Sequence, residues 1–405
     1  MFDLDVVIVG GGIAGLSTAL FLKRFGYNVV VYERTPKILP VGAAISVWSN
    51  GVKVMNRLGF GKQMQELGGQ MDSMIYRDEK GTELVNMDLR PVYKEVGERC
   101  YPVPRADLQQ MLMDQYVAEG GNLVLGRSCV SVHKVDESDE NSKLYVKFDD
   151  GSKSMECDLL VGADGIRSNV RTYVLEKEVA PVYHYTNWNG LVTMDSTIGE
   201  QTEWVMHVGE GKRASVMPVG NGRFYFFMGA PIAEDAPAPE RGSEAMREEL
   251  KQIFKGWPAK VQNLIDAIDV NTLNRIPICD VDPLPHLWRG HAVLIGDAAH
   301  STTPTLGQGG CQALEDSEVL ASFLTTTNVG VADALSRYQQ HRLERVHTMV
   351  LKARERTAQI YPRNAEQERA TQEWYNELKT SKDIGTNILR GIAANIMQGP
   401  WPPRL

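Results

Sequence analysis

The chain has 405 residues, 43% of them hydrophobic and 23% charged, a composition typical of a globular protein long enough for two domains. Its formal net charge of −8 argues against a general nucleic-acid-binding protein, because such proteins present a cationic face to the phosphates. The five cysteines form no CxxC pair, so we expect neither a metal site nor a disulfide framework. The chain shows no secretory signal and no apolar run of the roughly 20 residues that a membrane span requires. We therefore expect a cytoplasmic protein with no membrane partner. Its oligomeric state stays open.

The amino-terminal segment predicts a βαβ unit. Residues 4–9 form a short apolar run typical of a buried parallel strand, and residues 16–23 have the spacing of a helix that Gly26 can end. A second apolar strand at 29–32 leads to Glu33. This pattern indicates the start of a doubly wound α/β fold.

The rest of the chain contains further strands and helices of the α/β fold, and one region that predicts a second sheet. Further elements of the first kind are a helix at 107–116, strands at 123–125, 159–162 and 293–295, a helix from Ala313, and a long helix over 335–353. Residues 136–143 are charged and predict an exposed hairpin tip. Residues 182–231 are rich in aromatic residues and alternate as strands do, which predicts a sheet on a second domain.

The motif Gly10-x-Gly12-x-x-Gly15 between the first strand and helix predicts a dinucleotide site. Gly10 permits the tight turn, Gly12 lets the backbone approach a pyrophosphate, and Gly15 lets helix and strand pack closely. The helix N-terminus offers free N–H groups, and Glu33 can accept hydrogen bonds from ribose hydroxyls. A tight turn without a ligand is the alternative, and the motif alone does not separate NAD from FAD.

Two later strand ends favour FAD. Asp164-Gly165 follows one predicted strand and Gly296-Asp297 follows another, and a glycine-rich loop at 307–310 then precedes the helix at Ala313. A carboxylate at a strand end can hold a ribityl hydroxyl, and such a loop can bring backbone N–H groups against an anionic flavin ring. An ordinary strand-to-loop junction is the alternative for each segment taken alone.

These three segments, in this order and spacing, resemble the fingerprints of the class A flavoprotein aromatic hydroxylases. Arg105, in Pro104-Arg105-Ala106-Asp107-Leu108, matches the flavin-contacting arginine of that family. The resemblance implies an α/β fold with three parts. They are a discontinuous Rossmann-type FAD-binding domain at 1–73, 101–180 and 275–350, a β-sheet substrate domain at 74–100 and 181–274, and a helical C-terminal segment at 351–405.

Shorter segments resemble the urate-hydroxylating members of that family. They lie at 40–48, 187–192, 209–213, 222–227 and 300–311. The resemblance implies that Asn187, Arg213 and Tyr225 contact the substrate and that Arg213 and Tyr225 take part in catalysis. The implied cofactor-binding residues are Gly10, Gly12, Ala14, Gly15, Glu33, Arg34, Ser46, Arg105, Cys129, Asp164, Asp297, Gly307, Gln308, Gly309, Gly310 and Cys311. We expect a structural role for His300 and a packing role for the Cys311 thiol.

The activity that this resemblance implies is hydroxylation of urate at C5 to 5-hydroxyisourate, as a step of urate catabolism. FAD would be bound, NADH would donate electrons and leave, and molecular oxygen would supply the oxygen atom through a flavin C4a-hydroperoxide. The protein would orient the substrate, stabilise charge and exclude water.

The chemistry of three side chains agrees with a planar, weakly acidic purine. Arg213 offers a fixed charge and a fork of donors, Asn187 can donate and accept, and Tyr225 can bond a ring nitrogen. We hypothesise that Arg213 and Tyr225 favour the substrate anion. A three-residue loop at 220–222 would place Met217 opposite Tyr225, and Arg213 on the same face of the sheet; a two-residue loop would separate them.

Several alternatives stay open. Taken alone, Tyr225 is also compatible with a packed strand aromatic, and Arg213 with a surface cation. The same chemistry could act on a hydroxybenzoate, a salicylate or another N-heterocycle. A colourless NAD-dependent dehydrogenase and a non-catalytic flavin-binding protein are the alternatives from other classes.

Overall fold

The computed structural model describes residues 4–37, 44–139, 142–326 and 330–397. Its strands are β1 (Asp5–Val9), β2 (Asn28–Glu33), β3 (Ala44–Val47), β4 (Ser73–Arg77), β5 (Glu83–Asp88), β6 (Tyr101–Pro104), β7 (Asn122–Leu125), β8 (Cys129–Lys134), β9 (Leu144–Phe148), β10 (Leu159–Gly162), β11 (Val182–Thr193), β12 (Glu203–Gly209), β13 (Lys212–Val219), β14 (Arg223–Ala230), β15 (Asn274–Asp280), β16 (Trp288–Arg289) and β17 (Ala292–Leu294).

The helices are α1 (Ile13–Arg24), α2 (Ser49–Arg57), α3 (Gly61–Leu67), α4 (Arg90–Val96), α5 (Arg105–Ala118), α6 (Asn169–Leu175), α7 (Glu244–Ile253), α8 (Ala259–Ala267), α9 (Asp297–His300), α10 (Gly309–Leu324), α11 (Val331–Ile360), α12 (Ala365–Thr380) and α13 (Ile384–Met397). A short 3₁₀ helix, Pro304–Leu306, precedes α10. Of these helices in the described ranges, none is both long and apolar enough to cross a membrane.

The first sheet has six strands in the order β16-β17-β10-β1-β2-β7. The pairs β1–β2, β1–β10, β2–β7 and β10–β17 are parallel, and only the edge pair β16–β17 is antiparallel. Val6, Val7 and Ile8 have no exposed surface, because helices cover a parallel sheet on its faces. The predicted βαβ unit is therefore confirmed, and Gly26 ends α1 with a φ of +88° as expected.

The second sheet has seven strands in the order β15-β11-β14-β13-β12-β4-β5. Its β13–β14 hairpin pairs Val219 with Arg223, which leaves the three-residue loop 220–222. Asn221 and Gly222 both adopt left-handed conformations, with φ values of 61° and 64°. Met217 pairs with Tyr225, as the three-residue alternative requires, and the two-residue alternative is ruled out.

The two faces of this sheet pack against different helices. Trp188 and Phe226 share an apolar core with Leu250 of α7 and Leu264 of α8. On the other face, Met206 belongs to a core that includes residues of α12 and α13. Since neighbouring residues of a strand point to opposite faces, Arg213 and Tyr225 lie on the side of α12 and α13.

Three sequence-based domain limits differ from the secondary structure. β15 (Asn274–Asp280) pairs with β11, so the chain leaves the second sheet after Asp280 and not at 275. β4 begins at Ser73, one residue before the predicted limit. The limit at 350 falls inside α11, which continues to Ile360 because its apolar spacing persists through Thr357 and Ile360.

A buried ion cluster joins α10 to α11. Arg342 donates from Nε to Asp316 at 2.7 Å and from Nη1 to Glu315 at 2.5 Å. Arg345 donates to the same Glu315 carboxylate at 2.7 Å. Burial alone would raise the pKa of Asp316, but the neighbouring His300 and Arg342 outweigh it and lower that pKa to about 2. The cluster therefore stays ionised and fixes the two helices together.

Replacing Arg342 by leucine should destabilise the protein by about 3–5 kcal/mol, because two buried carboxylates would lose their main counter-charge. The matched control is Arg337→Leu on the same helix, which removes only an exposed ion pair with Asp333. That control should cost at most about 1 kcal/mol. Chemical denaturation of both variants measures the difference, and equal losses would contradict a structural role for the cluster.

Candidate active site

The glycine motif forms the turn between β1 and α1. A Cβ atom on Gly10, whose φ is +109°, would lie 2.2 Å from the carbonyl oxygen of Ala163. A Cβ atom on Gly15 would lie 1.9 Å from the carbonyl oxygen of Gly10. Gly12, in contrast, has open space beside it and caps α1 without any side-chain hydrogen bond. The first-turn N–H groups of α1 are therefore available to an anionic group such as a diphosphate.

The Glu33 carboxylate is held beside this turn. It accepts hydrogen bonds from Gly11 N at 2.7 Å and from the backbone N of Thr35 at 2.8 Å. The Thr35 hydroxyl donates to Oε1 as well, at 2.9 Å, so Oε2 is the oxygen that keeps a free lone pair for a ribose hydroxyl. Arg34 follows with an exposed side chain at the same strand end.

The third predicted fingerprint, Gly296-Asp297, lies just after β17. Gly296 has a φ of +57°, and its N–H donates to Asp316 Oδ2 at 2.8 Å. His300 Nε2 lies 2.6 Å from the same oxygen, which agrees with the structural role expected for it. Asp297 opens α9 with an exposed side chain, so its carboxylate is free to contact a ligand such as a ribityl chain.

The glycine-rich loop leads into α10 through a left-handed residue. Gly307 has a φ of +64°, and a Cβ atom there would lie 2.8 Å from Trp48 Nε1. Gln308 precedes α10 without a side-chain cap, so the N–H groups of Gly309 and Gly310 begin the helix uncapped. The buried Cys311 Sγ accepts from Trp48 N at 3.2 Å, and burial raises its pKa to about 12, which fits a packed thiol.

The first turns of α1 pack against α10. Ser17 and Ser317 join the two helices through a 2.7 Å hydrogen bond. A Cβ atom on Gly296 would lie 2.8 Å from Cβ of Ala14 and 3.5 Å from that of Ala313. Trp48 Nε1 is a buried donor with no hydrogen-bond partner among the described residues. Two uncapped N-termini on packed helices, with a spare donor, suit a ligand that carries a diphosphate and a polar ring. The residues present therefore fit FAD.

Helix α5 reaches the same turn. Arg105 is its first residue, and Gln109, one turn later, donates from Nε2 to the carbonyl oxygen of Gly11 at 2.7 Å. Residues four apart share a helix face, so Arg105 lies on the side of α5 that faces the turn. Sequence reasoning missed Gln109, although its spacing from Arg105 could have indicated it.

Asp164 and Cys129 have other partners. The Asp164 carboxylate caps α6, accepting from the backbone N of Asn169 at 2.9 Å and of Val170 at 3.2 Å. Burial raises the pKa of the Cys129 thiol to about 12. These partners give Asp164 a structural role at the start of α6. The flavin contacts expected of Asp164 and Cys129 stay predictions.

Asn187 and Arg213 lie in one row across the second sheet. Gly229 of β14 pairs with Asn187 on one side and with Arg213 on the other. Asn187 is 3% exposed and Arg213 is 4% exposed. Asn187 Oδ1 and Arg213 Nε find no hydrogen-bond partner among the residues described. The Arg213 guanidinium carbon lies 4.6 Å from the centre of the Phe227 ring, which sequence reasoning also missed.

Tyr225 lies on the same face, nearer the glycine-rich loop. Its strand partner Met217 receives a 3.5 Å contact from the Ser46 hydroxyl, and Ser46 is the residue expected to line the flavin. Burial raises the pKa of Tyr225, and the charge of Arg213 only partly opposes this. The phenol is therefore protonated near neutral pH and can donate a hydrogen bond. The predicted segment 40–43 lies outside the described residues.

The fold and the site together define a Rossmann-type flavoprotein with a separate substrate-binding sheet. A sequence profile of the FAD-binding domain family matches residues 3–353, and the chain belongs to this family. It is a flavin-dependent monooxygenase of the class A aromatic hydroxylase type, as the sequence motifs predict.

The chain is similar to several known proteins over nearly its whole length. It is 43% identical to an FAD-dependent urate hydroxylase of Mycolicibacterium vanbaalenii, over 99% of this chain and 98% of that protein. The crystal structure of Klebsiella pneumoniae HpxO with FAD and uric acid has a TM-score of 0.90 and 39% identity, over 98% of this chain and 97% of that one. A salicylate hydroxylase substrate complex, with a TM-score of 0.74 and 24% identity over 100% of this chain and 99% of that one, shares the fold alone.

Replacing Gly15 by alanine should lower the affinity for FAD at least tenfold, because the new methyl group would collide with the carbonyl oxygen of Gly10. Helix propensity alone would make this change favourable by about 1 kcal/mol. The matched control is Gly391→Ala in α13, where no atom lies near the new methyl group. Flavin content after dialysis and fluorescence titration with FAD compare the two variants; equal FAD affinity would contradict the packing role of Gly15.

Proposed function

We propose that the protein hydroxylates urate at C5 to 5-hydroxyisourate, with FAD as bound cofactor, NADH as electron donor and molecular oxygen as oxidant. The observation that carries this proposal is the buried charge of Arg213. Among the described residues, no carboxylate forms an ion pair with it. A cation that is 4% exposed and lacks a counter-charge favours an anionic ligand, because an unpaired buried charge is costly.

The relatives support urate as the ligand. The Mycolicibacterium protein is a urate hydroxylase by name, and HpxO was solved with uric acid. Urate is planar, carries polar groups around its edge and is weakly acidic, so Arg213 can bind its anion while Asn187 donates and accepts beside it. Aromatic rings beside Arg213 hold the guanidinium in place, which reduces the entropy lost on binding.

Bound FAD supplies the redox chemistry: it takes two electrons from NADH and activates oxygen. The atoms balance when one oxygen atom bonds to C5 of urate and the other leaves as water, with NADH and one proton consumed. The residues that would hold FAD are those at the N-termini of α1 and α10, together with Glu33, Arg105 and Asp297.

In this proposal Tyr225 orients the substrate toward the flavin. It lies on the same face as Arg213 and beside Met217, which the Ser46 hydroxyl contacts. Since its phenol is protonated, it can donate to a ring nitrogen or carbonyl oxygen of urate. Together, Arg213 would stabilise the negative charge and Tyr225 would fix the ring position.

Urate should stimulate NADH oxidation by the purified yellow protein, with hydroxylated product formed in equal amount. The assay follows NADH absorbance, the purine product and peroxide, with salicylate and 4-hydroxybenzoate as comparison substrates. NADH loss that yields only peroxide would make urate an effector and not a substrate. Stimulation by salicylate but not by urate would overturn the proposed substrate and leave the monooxygenase class intact.

Replacing Tyr225 by phenylalanine should slow hydroxylation about 100-fold, in the range seen when a positioned hydrogen-bonding group is lost, and leave FAD binding unchanged. Tyr173→Phe is the matched control, because that phenol also lies beside an arginine, Arg289, but belongs to α6 and packs against the core of the first sheet. Single-turnover rates and flavin content measure both effects. An unchanged hydroxylation rate in Tyr225→Phe would remove Tyr225 from the mechanism.

The pH profile gives a further test of Tyr225. Because burial raises its pKa above the ordinary value of about 10, the free enzyme should keep this phenol protonated up to at least about pH 10. Profiles of kcat/KM, which report groups of the free enzyme, should therefore have the same shape in the wild-type protein and Tyr225→Phe. An alkaline limb that disappears in the variant would show that the tyrosine ionises earlier.

A further inference from the structure

We propose that Tyr361, at the carboxyl end of α11, contributes a third polar contact to the substrate, so that the C-terminal segment completes the site. This inference rests on the proposed function, since it extends the row formed by Asn187 and Arg213. Nothing in the sequence pattern around Tyr361 indicates it; the position follows from packing alone.

The Tyr361 hydroxyl occupies the space above Gly229. A Cβ atom on Gly229 would lie 2.3 Å from this hydroxyl oxygen and 2.6 Å from the adjoining ring carbon. Gly229 pairs with Asn187 on one neighbouring strand and with Arg213 on the other. The missing side chain therefore admits the Tyr361 hydroxyl between the two residues expected to bind the substrate.

The hydroxyl itself is buried and has a free hydrogen-bonding capacity. Tyr361 is 1% exposed, and its hydroxyl oxygen makes no hydrogen bond of regular geometry with a described residue, although the side chains of Arg213 and Tyr185 lie near enough to interact with it. Asn187 Oδ1, Arg213 Nε and the hydroxyl of the stacked Tyr185 also lack such a bond. Buried polar groups are normally paired, so four that lack regular hydrogen bonds in one small region point to a polar ligand that satisfies several of them together.

The surroundings of Tyr361 hold its phenol as a neutral donor. Its ring stacks on Tyr185 with ring centres 3.8 Å apart. Burial raises the pKa of Tyr361, although the charge of Arg213 opposes this effect. A protonated phenol can donate to a carbonyl oxygen or to a deprotonated ring nitrogen of urate, which are the groups that Arg213 also binds.

The ring and the hydroxyl of Tyr361 have separable roles. The guanidinium carbon of Arg213 lies 5.7 Å from the centre of the Tyr361 ring and 4.6 Å from that of Phe227, so the two rings flank the cation. Tyr361→Phe removes only the hydroxyl and keeps this ring contact. Tyr361→Leu removes both.

The experiment measures urate binding to the oxidised FAD-loaded protein by the change in flavin absorbance, without NADH. Tyr361→Phe should raise the dissociation constant for urate about tenfold, and Tyr361→Leu should raise it further. Thermal unfolding of Tyr361→Phe should match or exceed that of the wild-type protein, because an unpaired buried hydroxyl is lost. A stable variant of this kind keeps the binding test independent of folding.

The matched control is Tyr375→Phe. Tyr375 lies in α12, is likewise buried, and its hydroxyl also has no hydrogen-bond partner among the described residues, but the three atoms nearest to a Cβ on Gly229 all belong to Tyr361. Its substitution should leave urate binding unchanged. Equal weakening by Tyr375→Phe and Tyr361→Phe would overturn the inference, because both losses would then reflect general disturbance of the C-terminal packing.

Two further results separate this inference from the proposed function. If urate binds the wild-type protein and Arg213→Gln abolishes binding, an unchanged affinity in Tyr361→Phe overturns the contact with Tyr361 alone. Weakening by Tyr361→Leu but not by Tyr361→Phe would assign only the ring to the site and overturn the hydroxyl contact. If urate does not bind the wild-type protein, the proposed function fails first, and the contact with urate fails with it.

Discussion

The carboxylate of Asp316 fixes the positions of the turn before α9, of α10 and of α11 relative to one another. It accepts from the backbone of Gly296 and lies against His300, which fixes the turn that carries Asp297. It also binds Arg342, so α10 and α11 cannot move independently. Because α10 begins at the glycine-rich loop and α11 ends at Tyr361, one buried ionised group relates the FAD-binding loop to the substrate sheet. Removing its counter-charge would leave an unpaired charge in the core.

The second sheet divides its faces between folding and chemistry. One face is filled by apolar contacts with α7 and α8, which stabilise the sheet without reaching the site. The opposite face carries Asn187, Arg213 and Tyr225, with the FAD-binding elements at one end and the C-terminal helices at the other. Strand alternation alone produces this division, because consecutive side chains point to opposite faces.

In this site, burial changes the pKa values of the tyrosine phenols more than the nearby charge of Arg213 does. Arg213 is enclosed by aromatic rings, and burial keeps the nearby phenols of Tyr225 and Tyr361 protonated. The charge of Arg213 favours the ionised form of Tyr225, but burial outweighs this effect. One fixed cation and neutral donors suit the anion of a planar purine better than a second negative charge would.

Local patterns in the sequence predicted the βαβ unit and the helix N-termini of the glycine motifs. These features follow from backbone geometry within a few residues, which residue type and spacing constrain directly. The sequence left a two-residue and a three-residue loop open for the hairpin at 220–222, and the strand pairing decided between them. The partners of Asp316, the pairing of β15 and the position of Tyr361 could not be predicted. Each depends on distant segments meeting in space, and no local period encodes such a meeting. The sequence by itself therefore determined the class of fold and the cofactor motifs. Only the tertiary structure decided which polar groups are buried together without partners, because that depends on how the two sheets and the C-terminal helices pack.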